Sequence, residues 1–328
     1  MSNGLRIAIT VCTRDRRELL QLCLESILRL EVPQNIQPVV VVVENNASPA
    51  SQVFVEDLAR GAAAPWKIIY GHEPTLGIPI ARNRSLDIAL REKPDWIAFV
   101  DDDETVDPKW LERMLVAAEE FRCDVLHGPV EFLYPDALPD WFDAKQTRLR
   151  PRGLKRAAAA TNNTFVAQRL VSADGLALRF DETMRFTGGS DTEFFLRAAG
   201  YGATIRWVDD AWVRETVGPS RLTMKWQWMR ALRGAVTASR VHRKQNGLGA
   251  TCIRYLPKAL TRLVSGLAIA AGGSMVFLLA PKPGRKIIFL GGKDLASGLG
   301  TVMGLMNVVP EPYKTVMAIN AAAIVSGG

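Results

Sequence analysis

The stretch WIAFVDDDE, residues 96–104, runs from five apolar residues directly into four acids. The apolar run has the length and composition of a buried β-strand, which we expect to end where the acids begin. Three adjacent carboxylates, Asp101, Asp102 and Asp103, repel one another unless a cation neutralises them. Mg²⁺ and Mn²⁺ bind one or two carboxylates and complete their shell with water and substrate phosphates. The stretch therefore predicts a metal and diphosphate site at the end of a strand. The alternative is that the acids only end the strand and cap the next helix.

Apolar runs and amphipathic stretches alternate through the first two hundred residues. This alternation predicts an α/β fold with a mostly parallel, Rossmann-like central sheet and helices on both faces. In such sheets ligands bind beyond the carboxyl ends of the strands, where the acids would lie. The predicted strands are residues 5–11, 39–43, 66–70, 96–100, 125–130 and 204–208. The predicted helices are residues 16–30, 79–90, 109–121 (with Asp107 as the N-cap) and 191–199.

Composition narrows the classes of partner and compartment. The chain has 328 residues and a formal charge of +7, and basic residues accumulate from position 214 onward. This basic part of the chain predicts an anionic partner. No nucleic-acid-binding signature is visible in the sequence, so we expect that the partner is not a nucleic acid. The four cysteines are not spaced as metal-binding pairs, which argues against structural zinc and disulfides and for a reducing compartment. The first residues lack the pattern of a secretory signal, so we expect a cytoplasmic chain.

The last seventy residues differ from the rest. Residues 263–280, LVSGLAIAAGGSMVFLLA, carry no charge and have basic flanks. The run is long enough to cross a membrane, and it also suits a helix or hairpin lying in the membrane face, with residues 287–309 as partner. Two buried helices of a small C-terminal subdomain are the alternative. We predict a catalytic domain over 1–215, a basic amphipathic connector over 216–254 and an apolar membrane-associated helical region over 255–328.

Three further motifs belong to the same edge of the predicted sheet. Residues 10–14 follow the first strand, residues 44–46 (ENN) follow the second, and residues 76–83 (LGIPIARN) open a helix. Acids and amides at strand ends suit hydrogen bonds to a base and a ribose. Arg82 suits a base carbonyl or a phosphate.

Together these motifs resemble the inverting family-2 glycosyltransferases with the GT-A fold, and more narrowly the bacterial exopolysaccharide enzymes of the succinoglycan type. The matching pieces lie within residues 5–208 and are ITVCTRDR, VVVVENNAS, LGIPIARN, FVDDDE and FTGGSDTEFFLRAAGYG. The resemblance implies a nucleotide-sugar donor, with uridine as the base, and a Mg²⁺ or Mn²⁺ ion. It further implies a glycan acceptor linked to polyprenyl diphosphate, and an enzyme at the cytoplasmic face of the inner membrane.

The resemblance also implies roles for particular residues. Nucleotide contacts are expected from Thr13, Arg14, Glu44, Asn46, Arg82, Asp101 and Asp102. The metal is expected on Asp103 and Asp101, and Asp191 is expected to be the catalytic base. The acceptor side is expected to include Asn162, Asn163, His127, Ser190 and Arg221. The chain departs from the family pattern twice, because Glu44 stands where Asp is usual and Ser190 stands where Glu precedes the base.

Asp191 suits the role of base on chemical grounds as well. An acceptor hydroxyl that attacks an anomeric carbon must lose a proton, so a carboxylate has to stand across the sugar from the metal. Asp191 opens a helix after a glycine-rich turn, residues 187–190. The alternative is an ordinary acid in the first turn of a helix.

Two other classes of protein remain open at this point. Residues 101–105 also fit the D-x-D-x-T signature of haloacid-dehalogenase-type phosphatases, with Asp209 and Asp210 as a later acidic pair. A membrane-surface scaffold that keeps the fold without activity is the second, and the missing acid at Ser190 motivates it.

Overall fold

The structure is a computed structural model that describes residues 4–144, 147, 149–185 and 187–308. The chain forms two compact units. The first comprises residues 1–133, 146–185 and 190–216, and the second comprises residues 134–145, 186–189 and 217–328.

The first unit is built on an eight-stranded sheet with helices on both faces, as predicted. The first unit has eleven described strands, eight in this sheet and three in a smaller one. They are β1 (Leu5–Thr13), β2 (Ile36–Glu44), β3 (Lys67–His72), β4 (Trp96–Asp101), β5 (Glu104–Val106), β6 (Val125–His127), β7 (Val130–Leu133), β8 (Lys155–Arg156), β9 (Thr164–Ala167), β10 (Ile205–Trp207) and β11 (Val213–Thr216). Its helices are α1 (Arg17–Leu28), α2 (Gln52–Gly61), α3 (Ile78–Arg91), α4 (Trp110–Phe121) and α5 (Ser190–Gly200). The large sheet has the order β3-β2-β1-β4-β9-β6-β10-β8, and a small sheet has the order β5-β11-β7.

The register of the strands decides which residues share an edge. Strand β1 is parallel to β2 and β4, with Thr13 opposite Glu44 and Cys12 opposite Asp101. Strand β9 is antiparallel to both β4 and β6, so β6 runs parallel to β4, and β10 is parallel to β6. The carboxyl ends of β1, β2, β4, β6 and β10 therefore lie at one edge of the sheet.

Apolar side chains cover both faces of the sheet. On one face α1 and α4 bury residues such as Leu24 and Trp110, and on the other α3 and α5 bury residues such as Leu86 and Phe194. Burial of such side chains stabilises the fold by about 1.5–3 kcal/mol each. The two helical layers fix the strand ends and the loops that follow them.

Two predicted boundaries were wrong. Residues 125–130 do not form one strand, because the chain breaks at Gly128 and Pro129 into β6 and β7, which belong to different sheets. A Cβ atom at Gly128 would lie 2.5 Å from the carbonyl oxygen of Ala211, so only glycine fits there. Asp107 does not cap α4 either, since the helix begins at Trp110 and the Asp107 carboxylate accepts from the Lys109 N–H, at 3.1 Å, ahead of the helix.

The second unit contains two long helices, α6 (Met224–Leu279) and α7 (Pro281–Leu305). Helix α6 is interrupted by non-helical backbone at Gly247. Glycines bring the two helices close together, as at Gly291, where a Cβ atom would lie 2.5 Å from the Ala270 backbone nitrogen. Within the described ranges α6 is the one helix long and apolar enough to cross a membrane. Only 11% of the residues in its most apolar 18-residue stretch are buried. The predicted partner helix ends at Leu305, and residues 309–328 lie outside the described part of the chain.

We expect Asn163→Gly to destabilise the first unit by about 2–4 kcal/mol. The Asn163 amide accepts from Trp110 Nε1 and donates to the carbonyls of Pro129 and Ala211, each at 2.7 Å, so its loss leaves buried polar atoms unpaired. Glycine retains access to the residue's φ of +57°. Urea unfolding followed by tryptophan fluorescence measures the loss. The neighbouring Asn162→Ala is the control, and a loss of the same size in both variants would contradict the account.

Candidate active site

The acidic triplet at the end of β4 is neutralised in part by an arginine of the chain itself. Arg16 Nη1 lies 3.1 Å from Asp102 Oδ1 and 3.3 Å from Asp103 Oδ2. Thr13 Oγ1 also donates to Asp102 Oδ2 at 2.8 Å. Asp102 and Asp103 are both buried, so the guanidinium compensates for carboxylates that burial alone would destabilise.

Asp101 is the most accessible carboxylate of the triplet, with 44% of its side chain exposed. Its Oδ1 lies 3.5 Å from Nη2 of Arg82, the fifth residue of α3, and the Arg82 guanidinium also lies over the Phe180 ring. Loss of hydration raises the pKa of Asp101, and so do the carboxylates of Asp103 and Asp191, while Arg82 opposes the shift. Asp191, the base predicted on α5, is therefore close enough to Asp101 for its charge to act on that carboxylate.

Burial disfavours negative charge on Asp102 and Glu104. Desolvation raises the pKa of Asp102 to about 6 although Arg16 and Thr13 oppose the shift. Desolvation and the neighbouring Asp101 hold the pKa of Glu104 well above its usual range. Glu104 Oε2 accepts from the Asp101 backbone N–H at 2.9 Å, and its Oε1 is buried with no partner among the described residues. Both carboxyl groups therefore keep a proton to higher pH than an exposed carboxyl group does, unless positive charge is added beside them.

We expect Arg16→Gln to lower the free energy of unfolding by about 1–3 kcal/mol, because it leaves Asp102 and Asp103 buried without their counter-charge. The figure is reduced for solvent screening, since the guanidinium is half-exposed. Arg16 lowers the pKa of Asp102, so the loss should be largest above pH 6 and shrink as Asp102 becomes protonated at lower pH. Urea unfolding between pH 5 and 8 checks this. The surface variant Arg29→Gln is the control, and equal losses in the two variants at every pH would contradict it.

The residues predicted for the nucleoside lie at the ends of β1 and β2. Glu44 is fully buried, and its carboxylate accepts from the Ser51 N–H at 2.8 Å and from the Tyr70 hydroxyl at 2.7 Å. It thus ties α2 and β3 to the end of β2, and a nucleoside contact from it stays a prediction. Asn46 donates to Asp15, and Arg14 lies 3.8 Å from the same aspartate on the exposed loop after β1.

Asp191 is the second residue of α5, and its Oδ1 accepts from the Thr192 N–H at 2.8 Å. The preceding Gly188 and Gly189 have φ values of +76° and +79°, a conformation that favours glycine. The neighbouring Ser190 is buried. The other acid of this turn, Glu193, is buried and paired with Arg197 at 3.0 Å, so it holds the helix rather than facing a ligand.

The structure brings three of the predicted acceptor-side residues together. His127 lies opposite Thr164 in the sheet, next to Asn162 and Asn163, and the Gly128 N–H donates to the Asn163 carbonyl at 3.0 Å. Asn163 is fully buried, and its amide makes three hydrogen bonds within the fold, so a ligand contact from it stays a prediction. Asn162 is half-buried beside it. His127 ends β6, and Arg221 belongs to the second unit, where its guanidinium lies over the Trp226 ring.

Sequence reasoning missed three positioning residues. The sequence pattern predicts Arg16 only as the start of a helix, although a basic residue three positions after the first strand is a usable signal. Asn45 donates to the carbonyls of Glu73 and Thr75 and accepts from the Gly77 N–H, which holds the loop before α3. Asn83 likewise exchanges two hydrogen bonds with the Phe180 backbone. An asparagine reveals such contacts only once the chain is folded.

The fold is shared with solved glycosyltransferases. Residues 1–349 of TarS from S. aureus match with a TM-score of 0.52 and 14% identity, over 92% of each chain. GalNAc-T7, solved with UDP, GalNAc and Mn²⁺, matches with a TM-score of 0.54 and 13% identity, over 74% of this chain and 48% of that one. These similarities define the first unit as a GT-A fold. The acids and arginines described above lie at the edge of its large sheet where the parallel strands end.

The family follows from sequence relatives. Residues 8–169 match the model of glycosyl transferase family 2. The succinoglycan biosynthesis protein ExoM of Rhizobium meliloti strain 1021 is 34% identical over 238 residues, which is 72% of this chain and 75% of that protein. A putative glycosyltransferase, EpsH of Bacillus subtilis strain 168, is 28% identical over 127 residues, 38% of this chain and 34% of that protein. The chain belongs to glycosyl transferase family 2 and is a glycosyltransferase, which excludes the phosphatase alternative. The acidic pair which that alternative needed, Asp209 and Asp210, binds Arg152 instead.

Proposed function

We propose that the chain transfers a sugar from a UDP-sugar to a hydroxyl of a lipid-linked glycan, with inversion at the anomeric carbon, in the synthesis of a bacterial exopolysaccharide. The observation that carries the proposal is that Asp101, at the carboxyl end of β4, lies close enough to both Asp103 and Asp191 for their charges to raise its pKa. The ExoM similarity supports the pathway class. The UDP and UDP-GlcNAc complexes of TarS support the donor class.

The reaction assigns one role to each side of this cluster. On the α5 side, the Asp191 carboxylate takes the proton of the acceptor hydroxyl. The oxygen of that hydroxyl forms a bond to the anomeric carbon at the same time. The bond from that carbon to the diphosphate oxygen breaks at the same time, and UDP leaves with the electron pair. On the β4 side, Arg82 lies where it can pair with the donor's uridine or phosphate. A single displacement from the opposite face inverts the configuration.

The carboxylates of the triplet fit a divalent cation bound together with a diphosphate. Two arginines face four aspartates here, so negative charge remains on the cluster. Within the described part of the chain no group of three or more acids, histidines and cysteines forms a complete metal cage. Mg²⁺ and Mn²⁺ suit such a site, because they are held by one or two carboxylates plus substrate oxygens. Asp103 and Asp101 would hold the ion, which when bound supplies positive charge to the leaving diphosphate.

Donor hydrolysis tests the proposed function directly. A panel of UDP-, GDP-, dTDP- and CMP-sugars is incubated with the full chain and Mn²⁺, and release of the free nucleotide is measured. We expect one UDP-sugar to be consumed, more rapidly with extracted lipid-linked glycans present. Nucleotide binding without turnover of any donor would favour the non-catalytic scaffold.

We further propose that the chain has three functional regions. They are a catalytic domain over residues 1–215, a basic connector over 216–254 and a membrane-associated region over 255–328. Side chains on α6 that a soluble protein would bury are exposed, among them Val264, Leu267 and Leu278. Basic residues flank this apolar run, which suits the anionic headgroups of a cytoplasmic membrane face. A lipid-linked acceptor would reside in the same membrane.

We expect the double variant Leu267→Lys and Leu278→Lys to lose most of its flotation with anionic liposomes. Each methylene buried in lipid contributes about 0.8 kcal/mol, so two charged replacements remove several kcal/mol of membrane binding. The matched control, Leu22→Lys with Val53→Lys, changes two exposed apolar residues of the first unit. Equal flotation of wild type and the α6 variant, or equal loss in both double variants, would contradict a membrane role for this helix.

A further inference from the structure

A second charged cluster lies at the same edge of the sheet as the aspartates, with the opposite sign. It consists of His127, Arg150, Arg156 and Trp207, which we call the arginine–tryptophan cluster. Parallel pairing of β6 with β10 sets His127 beside Trp207. Arg156 pairs with Ile205, two residues before Trp207, so its side chain lies on the same face of the sheet.

The two arginines of this cluster share one aromatic ring. The guanidinium carbons of Arg150 and Arg156 lie 5.5 Å and 6.0 Å from the Trp207 ring centroid. Burial and the charge of Arg150 lower the pKa of Arg156, so the two guanidinium groups repel each other. No ion pair joins either guanidinium to a carboxylate in the part of the chain that the structure describes, whereas the adjacent Arg152 binds three acids. Among the described residues, the cluster therefore has no counter-anion.

Buried polar atoms in the same place lack partners. Trp207 is only 5% exposed, and its indole Nε1 donates to no atom among the described residues. The same holds for Arg156 Nε and for His127 Nδ1. A buried donor without an acceptor costs about 1–3 kcal/mol, so a ligand that brings oxygen acceptors would be stabilised here. Burial and the two arginines lower the pKa of His127 to about 4, so near neutral pH its uncharged ring can donate only one N–H.

We propose that the arginine–tryptophan cluster binds an anionic oxygen group, a phosphate or a carboxylate, carried by the glycan acceptor. This inference rests on the proposed function. Trp207 stands on a strand three positions from β4 in the sheet, a lateral offset of roughly 14 Å, so the cluster is separate from the site assigned to the donor diphosphate. It lies at the same edge, on the face that α5 covers, as expected for a distal part of the acceptor. The enzyme would thus select acceptors that carry acidic substituents or a lipid phosphate.

Indole N–H signals of the full chain, labelled with ¹⁵N-tryptophan in detergent micelles, test the proposal. The chain has eight tryptophans, and Trp207→Phe identifies the signal of interest. The probes are inorganic phosphate and methyl glucuronide at constant ionic strength, with uncharged methyl glucoside as control. We expect a saturable shift of the Trp207 signal with at least one anion and none with the glucoside. The anion that binds more tightly distinguishes a phosphate from an acidic sugar.

Arg150→Gln and Arg156→Gln, made singly, should each weaken that anion's binding at least about tenfold, because a charge-assisted hydrogen bond is lost. The control is Lys155→Gln, which removes a charge next to Arg156 from the opposite face of β8 and should bind as wild type. UDP binding, measured by calorimetry on the same samples, verifies the fold. No shift with either anion in wild type, or wild-type affinity in both arginine variants, overturns the proposal while UDP binding persists. Absence of UDP binding would instead remove the proposed function.

Discussion

Replacement of Asp191 by asparagine should lower the rate of sugar transfer by roughly 10²–10⁴-fold, the range expected for loss of a general base. Asparagine keeps the shape of the side chain and can still accept from the Thr192 N–H, so α5 should remain intact. It cannot take a proton from the acceptor hydroxyl. The affinity for UDP should barely change, because in the proposed mechanism Asp191 acts on the acceptor and not on the nucleotide. Initial rates of transfer and calorimetry with UDP measure the two quantities.

The control for this variant is Asp174→Asn, which neutralises an exposed aspartate on a turn of the same unit. It should transfer at the wild-type rate. An Asp191→Asn enzyme that transfers normally would place the base elsewhere. Glu193 is a poor substitute, because it is buried against Arg197. Equal losses of transfer and of UDP affinity would instead indicate that Asp191 supports the fold of the donor site.

Replacement of Asp103 by alanine should weaken UDP binding in the presence of Mn²⁺ by about 10²-fold, as expected when one partner of a buried charge pair is removed. The increment that Mn²⁺ adds to wild-type affinity should disappear in the variant. EDTA should therefore weaken binding by the wild type and leave the variant's residual binding unchanged. Calorimetric titration of UDP into both proteins, with Mn²⁺ and with EDTA, gives the four affinities.

Arg16 complicates this variant, because it contacts Asp103 as well as Asp102. A comparison of Asp103→Ala with Arg16→Gln separates the effects, since the latter lowers stability but retains both carboxylates for the metal. Asp174→Ala serves as the surface control. Undiminished UDP binding by the wild type in EDTA would end the metal assignment and leave the arginines as the groups that neutralise the cluster.

The sequence predicted the edge of the sheet at which the site lies, because apolar strands that end in polar residues reveal both their burial and their direction. The acids at 101–103 illustrate this, since their strand and their edge are as expected. Their neutralisation was predicted only in part. Three adjacent carboxylates predict a cation, and in the fold Arg16 and Arg82 supply part of that positive charge.

The acceptor side was less predictable. Asn163 is a polar residue of the kind that often contacts ligands, yet in the fold its side chain accepts a hydrogen bond from Trp110. That contact depends on long-range packing, which no local sequence pattern encodes. Strand β9, which lies antiparallel between β4 and β6, was not predicted because four residues are too short for an alternating pattern. The arginine–tryptophan cluster depends on that insertion, since β9 sets the distance between the donor site and Trp207.

The configuration of the product tests the central claim most directly. A UDP-sugar with an α-linked phosphate is supplied with lipid-linked glycan and the wild-type chain, and the anomeric proton of the newly attached sugar is recorded by NMR. One displacement assisted by Asp191 inverts that centre, so we predict a β-linkage throughout the time course. An α-linkage formed from the first turnover would contradict the single displacement and remove Asp191 from the role of base.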